Sequence, residues 1–293
     1  MMFLFVVFTS GVFARRLCPD SEPHTPSLQN ILPPNRSCCR YFVKAPDAPS
    51  PTSLRIPSVL LPAFTLWNRT RLLYGWDTDS GAYTRPGAEW SRSLIDRWID
   101  DVNCTFPVRS SFPGSVEQFI APALDEFPVY GKRGCVIGAE TPWLEALLLA
   151  RGATHITTIE DGAIVSRHPR VAALTPAMAW RATLEPFDFC ISYAIFEHSG
   201  LGRFGERLNP FGDFELLERV HCLLKPHGLF YNGIPTSTRD CLIVNVRRIY
   251  GPYRLQLLGE QNHWQPLGLF GKHAIDTCAE WHLRPVHVWR KRD

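Results

Sequence analysis

The sequence predicts an α/β fold built around a parallel sheet. From residue 131 onward, short apolar or β-branched runs alternate with segments whose apolar residues recur at helical spacing. The short runs are almost continuously apolar, as strands of a parallel sheet covered on both faces usually are. Strands and helices that alternate in this way favour right-handed crossovers within one sheet.

Six elements follow from this alternation. The apolar runs predict strands at residues 135–138, 155–160, 187–193 and 229–234. Helices are predicted between them, at residues 142–151 and 213–224. Near the C-terminal end, the runs YRLQLLG and RPVHVWRK are interpreted as a closing antiparallel pair.

The chain before residue 131 has a different character, and four segments are predicted in all. Residues 1–14 are a candidate signal peptide, 15–65 a proline-rich irregular segment, 66–130 a helical extension and 131–293 the α/β domain. In the extension, the stretch GAEWSRSLIDRWIDDV carries one apolar stripe at helical spacing. We expect this helix to pack on the α/β domain; a lid over a substrate pocket is the alternative.

Two features bear on the compartment in which the protein folds. The opening run MMFLFVVFTSGVFARR resembles the apolar part of a signal peptide, although its arginines follow the run, and a buried strand is the alternative. Asn35, Asn68 and Asn103 each begin an Asn-x-Ser/Thr acceptor for glycosylation. The secretory pathway is therefore favoured over the cytoplasm, and no later segment is predicted to span a membrane.

Charge and cysteine spacing narrow the classes of partner. The net charge of +3 is scattered along the chain, which gives no basic face for nucleic acid. The nine cysteines form no Cys-x-x-Cys pair, so no metal site is predicted. Cysteines within predicted strands or helices are interpreted as small buried hydrophobes, namely Cys135, Cys190 and Cys222. Those before the α/β domain would form disulfides in a secreted protein, namely Cys18, Cys38, Cys39 and Cys104.

The stretch GKRGCVIGAETPWLEALLLARGATHITTIED is typical of a strand–helix–strand crossover that binds a ligand. Thr141 is predicted to cap the helix, with Pro142 at its first position and Gly152 at its end. The helix would then begin just beyond the first strand, where open parallel sheets bind ligands. Free backbone N–H groups at a helix start favour an anionic group.

The single glycine in this turn, Gly138, helps to decide between cofactors. A pyrophosphate normally needs more glycine for close backbone approach, which disfavours a nicotinamide dehydrogenase. S-adenosylmethionine demands less, because its amino-acid end carries a carboxylate and an ammonium group. Glu140 is predicted to bind the ammonium. Glu160, about twenty residues after the glycine, is predicted to accept both ribose hydroxyls; a solvated strand-end charge is the alternative.

The later motifs resemble the class I, Rossmann-like methyltransferases that use S-adenosylmethionine. FDFCISYAIFEH places Glu-His after the fourth strand, and LLKPHG forms the turn before the fifth, as in the type 11 branch. Longer stretches resemble the DUF268 family of methyltransferase-like proteins between about residues 136 and 255. They are VIGAETPWLEALLLARGATHITTIE, HPRVAALTP, FEHSGLGRFGERLNPFGD, CLLKPHGLFYNGIP and NVRRIYGPYRL.

The resemblance implies a seven-stranded methyltransferase sheet with helices on both faces, preceded by an irregular N-terminal extension. It does not specify a substrate. Asp161 stands where an aromatic residue is expected to follow the acid, and we assign it to the cofactor contacts with an altered adenine environment. His227 replaces a glycine of the usual Lys-Pro-Gly-Gly turn, while Gly228 remains.

Methyl transfer needs an aligned nucleophile and, for an oxygen nucleophile, usually a base. His198 is the candidate base because its neutral form is available near pH 7, and Glu197 is expected either to orient it or to balance its charge. A structural pair at the end of the strand is the alternative. Polar residues in the following loop and after the fifth strand are the candidate acceptor contacts, namely Arg203, Asn209, Asn245 and Arg248.

The sequence thus predicts an enzyme that methylates an oxygen of a small polar or glycan acceptor with S-adenosylmethionine. The alternative is a catalytically inactive protein that keeps the methyltransferase fold as a binding or scaffold module. The features that favour this alternative are the turn with a single glycine and the lack of a certain base.

Overall fold

The computed structural model describes residues 55–74, 88–104, 110–112, 114–182, 184–204, 206–259, 263–271, 278 and 283–292. These residues belong to one of two units of the chain, Cys38–Asp293; the other is Met1–Ser37. The candidate signal peptide, the Asn35 acceptor and the first three cysteines lie outside the described residues. The predicted segment boundaries therefore stay predictions.

A seven-stranded sheet forms the centre of the fold, in the spatial order β11-β12-β8-β7-β3-β4-β6. Strand β12 is antiparallel to both of its neighbours, and the remaining pairs are parallel. The strands are β3 (Arg133–Ile137), β4 (His155–Ile159), β6 (Val171–Leu174), β7 (Phe187–Tyr193), β8 (Leu224–Gly233), β11 (Trp264–Phe270) and β12 (Val286–Lys291). Counted within this sheet, the order of its first five strands is 3-2-1-4-5, which is that of doubly wound folds. The expected Rossmann-like methyltransferase sheet is confirmed.

Two smaller sheets and a set of helices complete the described residues. Strands β1 (Arg71–Tyr74), β9 (Cys241–Val244) and β10 (Arg247–Ile249) form one small sheet, and β2 (Ala88–Trp90) and β5 (Ile164–Ser166) form the other. The α-helices are α1 (Leu61–Phe64), α2 (Arg92–Cys104), α3 (Ala121–Glu126), α4 (Trp143–Ala150), α5 (Pro176–Arg181), α6 (Gly212–Leu223) and α7 (Pro252–Gly259). A π-helical turn spans Val116–Ile120, and a 3₁₀ turn spans Phe196–His198. Among the residues described, no helix has the length and apolar content that a membrane crossing requires.

All four predicted strands and both predicted helices are present, with boundaries shifted by a few residues. The interpretation of YRLQLLG as a strand is wrong, since these residues form most of α7. Pro252 occupies the first position of this helix, where its fixed φ favours helical backbone. The antiparallel neighbour of β12 is instead β11, which pairs with it from Trp264 to Phe270.

Helix α2 packs against α4, as expected from its apolar stripe. Ile95 and Trp98 are its buried residues, and they join one hydrophobic cluster with α3, α4 and the central strands. Trp90, assigned to the same stripe, lies instead at the end of β2. The segment before residue 131 therefore contributes short strands as well as helices, and it completes the core on one face of the sheet.

The cysteines correct two expectations. Cys135 and Cys190 are buried free thiols, as expected for small hydrophobes. Cys222 was placed in the same class, but it is disulfide-bonded. Cys104, expected to form a disulfide, is an exposed free thiol. A further disulfide joins Cys241 and Cys278, whose Cα atoms are 6.1 Å apart, and no local motif in the sequence predicts it.

Candidate functional site

The strand order places the candidate site at the carboxyl ends of β3 and β7. These two strands are neighbours, and the chain departs from them towards opposite sides of the sheet. Ligands of doubly wound folds bind in the crevice at this switch point. The predicted cofactor residues follow β3 and β4, and the predicted catalytic residues follow β7.

The bend after β3, residues 138–142, requires glycine at its first position. Gly138 has a φ of +77°, and its N–H donates to the Ile159 carbonyl at 2.9 Å. A Cβ at this position would lie 2.5 Å from the Ile195 side chain. The glycine is thus required by its left-handed backbone and by close packing of Ile195, which follows β7.

Glu160 lies at the end of β4 and joins that strand to the bend. It is 8% exposed, so the alternative of a solvated strand-end charge does not describe it. Its Oε2 accepts a hydrogen bond from the Ala139 N–H at 2.9 Å, and its Oε1 accepts from the Gly162 N–H at 3.2 Å. The other two predicted cofactor residues, Glu140 and Asp161, are exposed on either side of it.

The start of α4 differs from the prediction. Pro142 occupies the N-cap position, and no side chain caps the helix. The Thr141 hydroxyl lies 3.0 Å from the Ser111 hydroxyl instead, which ties the bend to the N-terminal extension. The C-terminal end is as predicted, since Gly152 has a φ of +85° and its N–H donates to the Leu149 carbonyl at 3.0 Å.

A second carboxyl group lies beneath the bend and was missed by the sequence analysis. Glu145, in the first turn of α4, is fully buried, and its Oε1 accepts from the Thr158 hydroxyl at 2.5 Å. Its Oε2 has no hydrogen-bond partner among the described residues. Burial raises the pKa of Glu145 to about 7; the hydrogen bond from Thr158 opposes this rise, and the charge of Glu160 adds to it. A Glu within an apolar helix face is the only signal that the sequence offered.

Aromatic rings close one side of the bend. Trp143 is buried and contacts Tyr193 edge-on, with ring centroids 5.9 Å apart. Phe112 of the N-terminal extension lies 6.1 Å from Trp143 and 5.2 Å from Tyr193, measured between centroids. The Arg284 guanidinium stacks over Phe112 at 5.0 Å. The bend is therefore bordered by this cluster and by Ile195.

His198 lies in the 3₁₀ turn after β7, and its tautomer is fixed by a neighbour. Its Nδ1 is 2.6 Å from the Val246 carbonyl oxygen, which can only accept, so the proton of the neutral ring lies on Nδ1. Nε2 then carries the lone pair that a base needs. Burial lowers the pKa of His198 to about 4, while the charge of Glu197 and the hydrogen bond to Val246 oppose this shift. The ring is therefore neutral at pH 7.

Glu197 was expected to orient His198, but its direct partner is Arg284. The Arg284 Nε donates to Glu197 Oε1 at 2.9 Å, and both side chains are buried. The same oxygen is 3.8 Å from His198 Nε2, which is too long for a hydrogen bond. Orientation of His198 falls to the Val246 carbonyl, and Glu197 holds the turn to the segment before β12.

Two buried arginines hold the loop that follows His198. Arg254 donates to both carboxylate oxygens of Asp213, at 2.7 and 2.6 Å, and to the Pro210 carbonyl at 2.7 Å. Arg248, 2% exposed, donates to the carbonyls of Ser199, Asn209 and Pro210. Burial alone would raise the pKa of Asp213, but the charges of Arg248 and Arg254 outweigh it and hold the pKa below its ordinary value. We call Asp213, Arg248 and Arg254 the arginine cluster.

The other predicted acceptor residues lie around the same loop. Asn209 accepts from the Phe211 N–H at 2.9 Å, and Asn245 turns the β9–β10 hairpin with a φ of +58°. Arg203 donates to the Val246 carbonyl at 3.4 Å, the oxygen that also binds His198. Asn209 and Asn245 thus have roles in the local backbone, and Arg248 is buried in the loop. Arg203 is partly exposed beside the candidate base.

Comparison with known families supports the predicted resemblance. Residues 131–273 match the family described as "Caenorhabditis protein of unknown function, DUF268". This part of the chain is similar to that family. The bend, Glu160, His198 and the arginine cluster all lie within the DUF268 match, whereas Phe112 and Arg284 lie outside it. No curated protein matches the chain.

Solved methyltransferases are similar to the chain at low identity. One is the 1,6-didemethyltoxoflavin-N1-methyltransferase of Burkholderia thailandensis, with bound 1,6-didemethyltoxoflavin and S-adenosylhomocysteine. It is 18% identical, with a TM-score of 0.44, over 68% of this chain and 88% of that one. Another is the N-methyltransferase NodS of Bradyrhizobium japonicum with S-adenosylhomocysteine, which is 10% identical with a TM-score of 0.40, over 69% and 98% of the two chains. Identities this low carry no information about a methyl acceptor for this chain.

Proposed function

We propose that this protein is an S-adenosylmethionine-dependent methyltransferase that methylates an oxygen of a small polar or glycan acceptor. The observation that carries the proposal is the position of Glu160, a nearly buried carboxylate bonded directly to the bend. A doubly wound sheet alone would not suffice, since one fold supports many functions.

The residues around the bend suit this cofactor better than a dinucleotide. Glu160, at the end of β4, would accept the ribose hydroxyls. Glu140 and Asp161 supply negative charge for the ammonium group and beside the adenine. The rings of Trp143 and Tyr193 border the bend, and aromatic faces attract a cation such as a sulfonium.

The reacting end is proposed to lie between the bend and His198. When bound, S-adenosylmethionine would supply an electrophilic methyl group. His198 Nε2 would accept the proton of the acceptor hydroxyl, because the Val246 carbonyl holds the other ring proton on Nδ1. General bases of this kind contribute about 10²- to 10⁴-fold in rate. Glu197 would position the turn that carries His198, through its bond with Arg284.

The acceptor is proposed to meet the face that carries Arg203. A guanidinium can bind an anionic or polyhydroxylated group through several N–H donors. Asn209 and Asn245 would shape the wall of this pocket, and Arg248 would hold the wall in place from beneath. This assignment separates Arg203, which an acceptor could reach, from Arg248 and Arg254, which bind the loop.

Titration calorimetry with S-adenosylhomocysteine tests the proposal on the full chain. We expect a Kd on the order of micromolar, and a loss of about 10- to 100-fold in Glu160→Gln, because charge-assisted hydrogen bonds to the ribose are weakened. Glu185→Gln is the matched control, since Glu185 is exposed and pairs with Arg133 at the opposite end of β3. Equal affinities in wild type and Glu160→Gln would remove the role of Glu160.

The alternative of a binding or scaffold module is favoured by one observation, the packing of Ile195 against Gly138. If this packing seals the bend, wild type will not bind S-adenosylhomocysteine, whereas Ile195→Ala will bind it. Binding by wild type at micromolar concentration instead contradicts a sealed bend and leaves the enzyme as the better proposal.

A further inference from the structure

The small sheet of β1, β9 and β10 brings together two features that neither the sheet core nor the proposed activity uses. The first is the acceptor Asn68-Arg69-Thr70, which leads directly into β1. The second is the disulfide between Cys241 and Cys278. Arg71, the residue after the acceptor, is the register partner of Cys241 in the parallel pair β1–β9.

The Asn68 side chain is exposed, and its backbone is fixed. Asn68 follows α1 with a φ of +67°, a left-handed conformation that asparagine tolerates better than most residues. Its N–H donates to the Thr65 hydroxyl at 3.3 Å, and the Arg71 N–H donates to the Asp240 carbonyl at 2.8 Å. The turn therefore carries an exposed Asn68 side chain on a backbone held by hydrogen bonds.

The oxidised cysteines point to the same environment. Disulfides persist in secreted and lumenal proteins and are rare in reducing compartments. Cys222 is also disulfide-bonded, in addition to the Cys241–Cys278 pair. Cys135 and Cys190 remain thiols although they are register partners on β3 and β7, and both are fully buried in the central sheet.

We propose that Asn68 carries an N-linked glycan on a chain that folds under oxidising conditions. The Asn68 amide nitrogen loses a proton and bonds to the anomeric carbon of a lipid-linked oligosaccharide, and the lipid pyrophosphate leaves with the bonding electrons. Each disulfide forms as two thiols give two protons and two electrons to a disulfide-exchange oxidase. This inference is independent of methyl transfer.

Expression of the full chain in animal cells tests the glycan. After digestion with peptide N-glycosidase in heavy-oxygen water, we expect Asn68 to be recovered as labelled aspartate in wild type. Asn68→Gln should lose one step of the electrophoretic shift that digestion causes, and Thr70→Ser should keep it because serine preserves the acceptor. Asn103, an exposed acceptor asparagine at the end of α2, is read from the same peptide map, so a shift caused at Asn103 is not assigned to Asn68.

The wild-type peptide map decides the outcome even if a variant fails to fold. Unlabelled asparagine at position 68 overturns the proposal. Alkylation in denaturant without reductant tests the redox half on the same sample. We expect a linked peptide containing Cys241 and Cys278 and alkylated Cys135 and Cys190. Alkylation of Cys241 and Cys278 would show a reducing compartment and overturn that half.

Discussion

Two fully buried carboxyl groups flank the candidate site, and their surroundings shift their pKa values in opposite directions. Glu145, beneath the bend, has a threonine hydroxyl as its partner, and burial raises its pKa to about 7. Asp213, beneath the loop after His198, is held by Arg248 and Arg254, and its pKa is lowered. The first half of the site therefore contains a carboxyl group that holds its proton near neutrality, while the second contains a charge fixed by arginines.

This difference separates functional charge from structural charge. Arg248 was interpreted as an acceptor contact, but it donates to carbonyl groups of the loop, and Arg254 holds the same loop through Pro210 and Asp213. Glu160, by contrast, accepts hydrogen bonds from two backbone N–H groups, that of Ala139 in the bend and that of Gly162 just after β4. Burial and partner, more than residue type, distinguish the two uses.

The largest effect is expected when the arginine cluster is broken. Arg254→Met leaves Asp213 buried with less compensation, which should cost about 3–5 kcal/mol in the free energy of unfolding. Urea denaturation at pH 7 measures it. The double variant Arg254→Met/Asp213→Asn should cost less than the two single variants added together, because the pair interacts directly. A loss below about 1 kcal/mol in Arg254→Met would contradict a structural role.

Glu145 should make the stability of the folded chain fall as pH rises. Its pKa is about 7 in the folded chain and 4.5 in the reference state, so the unfolded chain releases the proton first as pH rises. Wild type should therefore lose about 3 kcal/mol of stability between pH 4.5 and 7. In Glu145→Gln this loss is absent.

The measurement for Glu145 is the difference between variant and wild type in urea denaturation at several pH values. We expect the difference to shift in favour of the variant from pH 4.5 to 7.5 and to remain constant above that. Thr158→Val is a control, since it removes the hydroxyl partner while the carboxyl group keeps its titration. A difference that does not change with pH would show that folding does not raise the pKa of Glu145.

Local patterns in the sequence predicted β3, β4, β7, β8 and β12 of the central sheet and the position of Glu160, but not β6 or β11. Each predicted strand contains a short apolar run, and Glu160 lies one residue beyond β4, so both follow from neighbouring residues. The start of α4 was wrong because Thr141 has a partner thirty residues away, in Ser111. Adjacent residues determine a strand, but they do not determine which hydroxyl a threonine will meet.

The ion pairs of the site could not be predicted from a local pattern, because their partners are far apart in the sequence. Arg254 and Asp213 are 41 residues apart, and Arg284 and Glu197 are 87 apart. Only the folded sheet brings the segment before β12, which contains Arg284, beside the turn after β7. The adjacent Glu197 and His198 were therefore interpreted as partners, although the side chain of each binds a different, distant segment.

His198 should destabilise the fold in acid, with a sign opposite to that of Glu145. Its pKa is about 4 in the folded chain and 6.5 in the reference state, so below pH 6.5 the unfolded chain binds the proton first. Stability contributed by the neutral ring is present above pH 6.5 and is lost as pH falls towards 4, by about 2–3 kcal/mol. His198→Asn keeps a donor for the Val246 carbonyl and removes the titration. Wild type and variant should differ less at pH 4.5 than at pH 7 in urea denaturation, and parallel curves would contradict a lowered pKa.

The smallest effect is expected at Arg203, and it separates the two arginines beside the loop most directly. Arg203 is partly exposed, and its hydrogen bond to Val246 is 3.4 Å long, so Arg203→Gln should cost less than about 1 kcal/mol. Arg248→Gln is the matched control. It should cost at least about 2 kcal/mol, because three carbonyl groups lose a buried donor. If urea denaturation gave equal losses for the two variants, Arg203 would also be a structural residue. The acceptor would then have to be bound by residues other than Arg203 and Arg248.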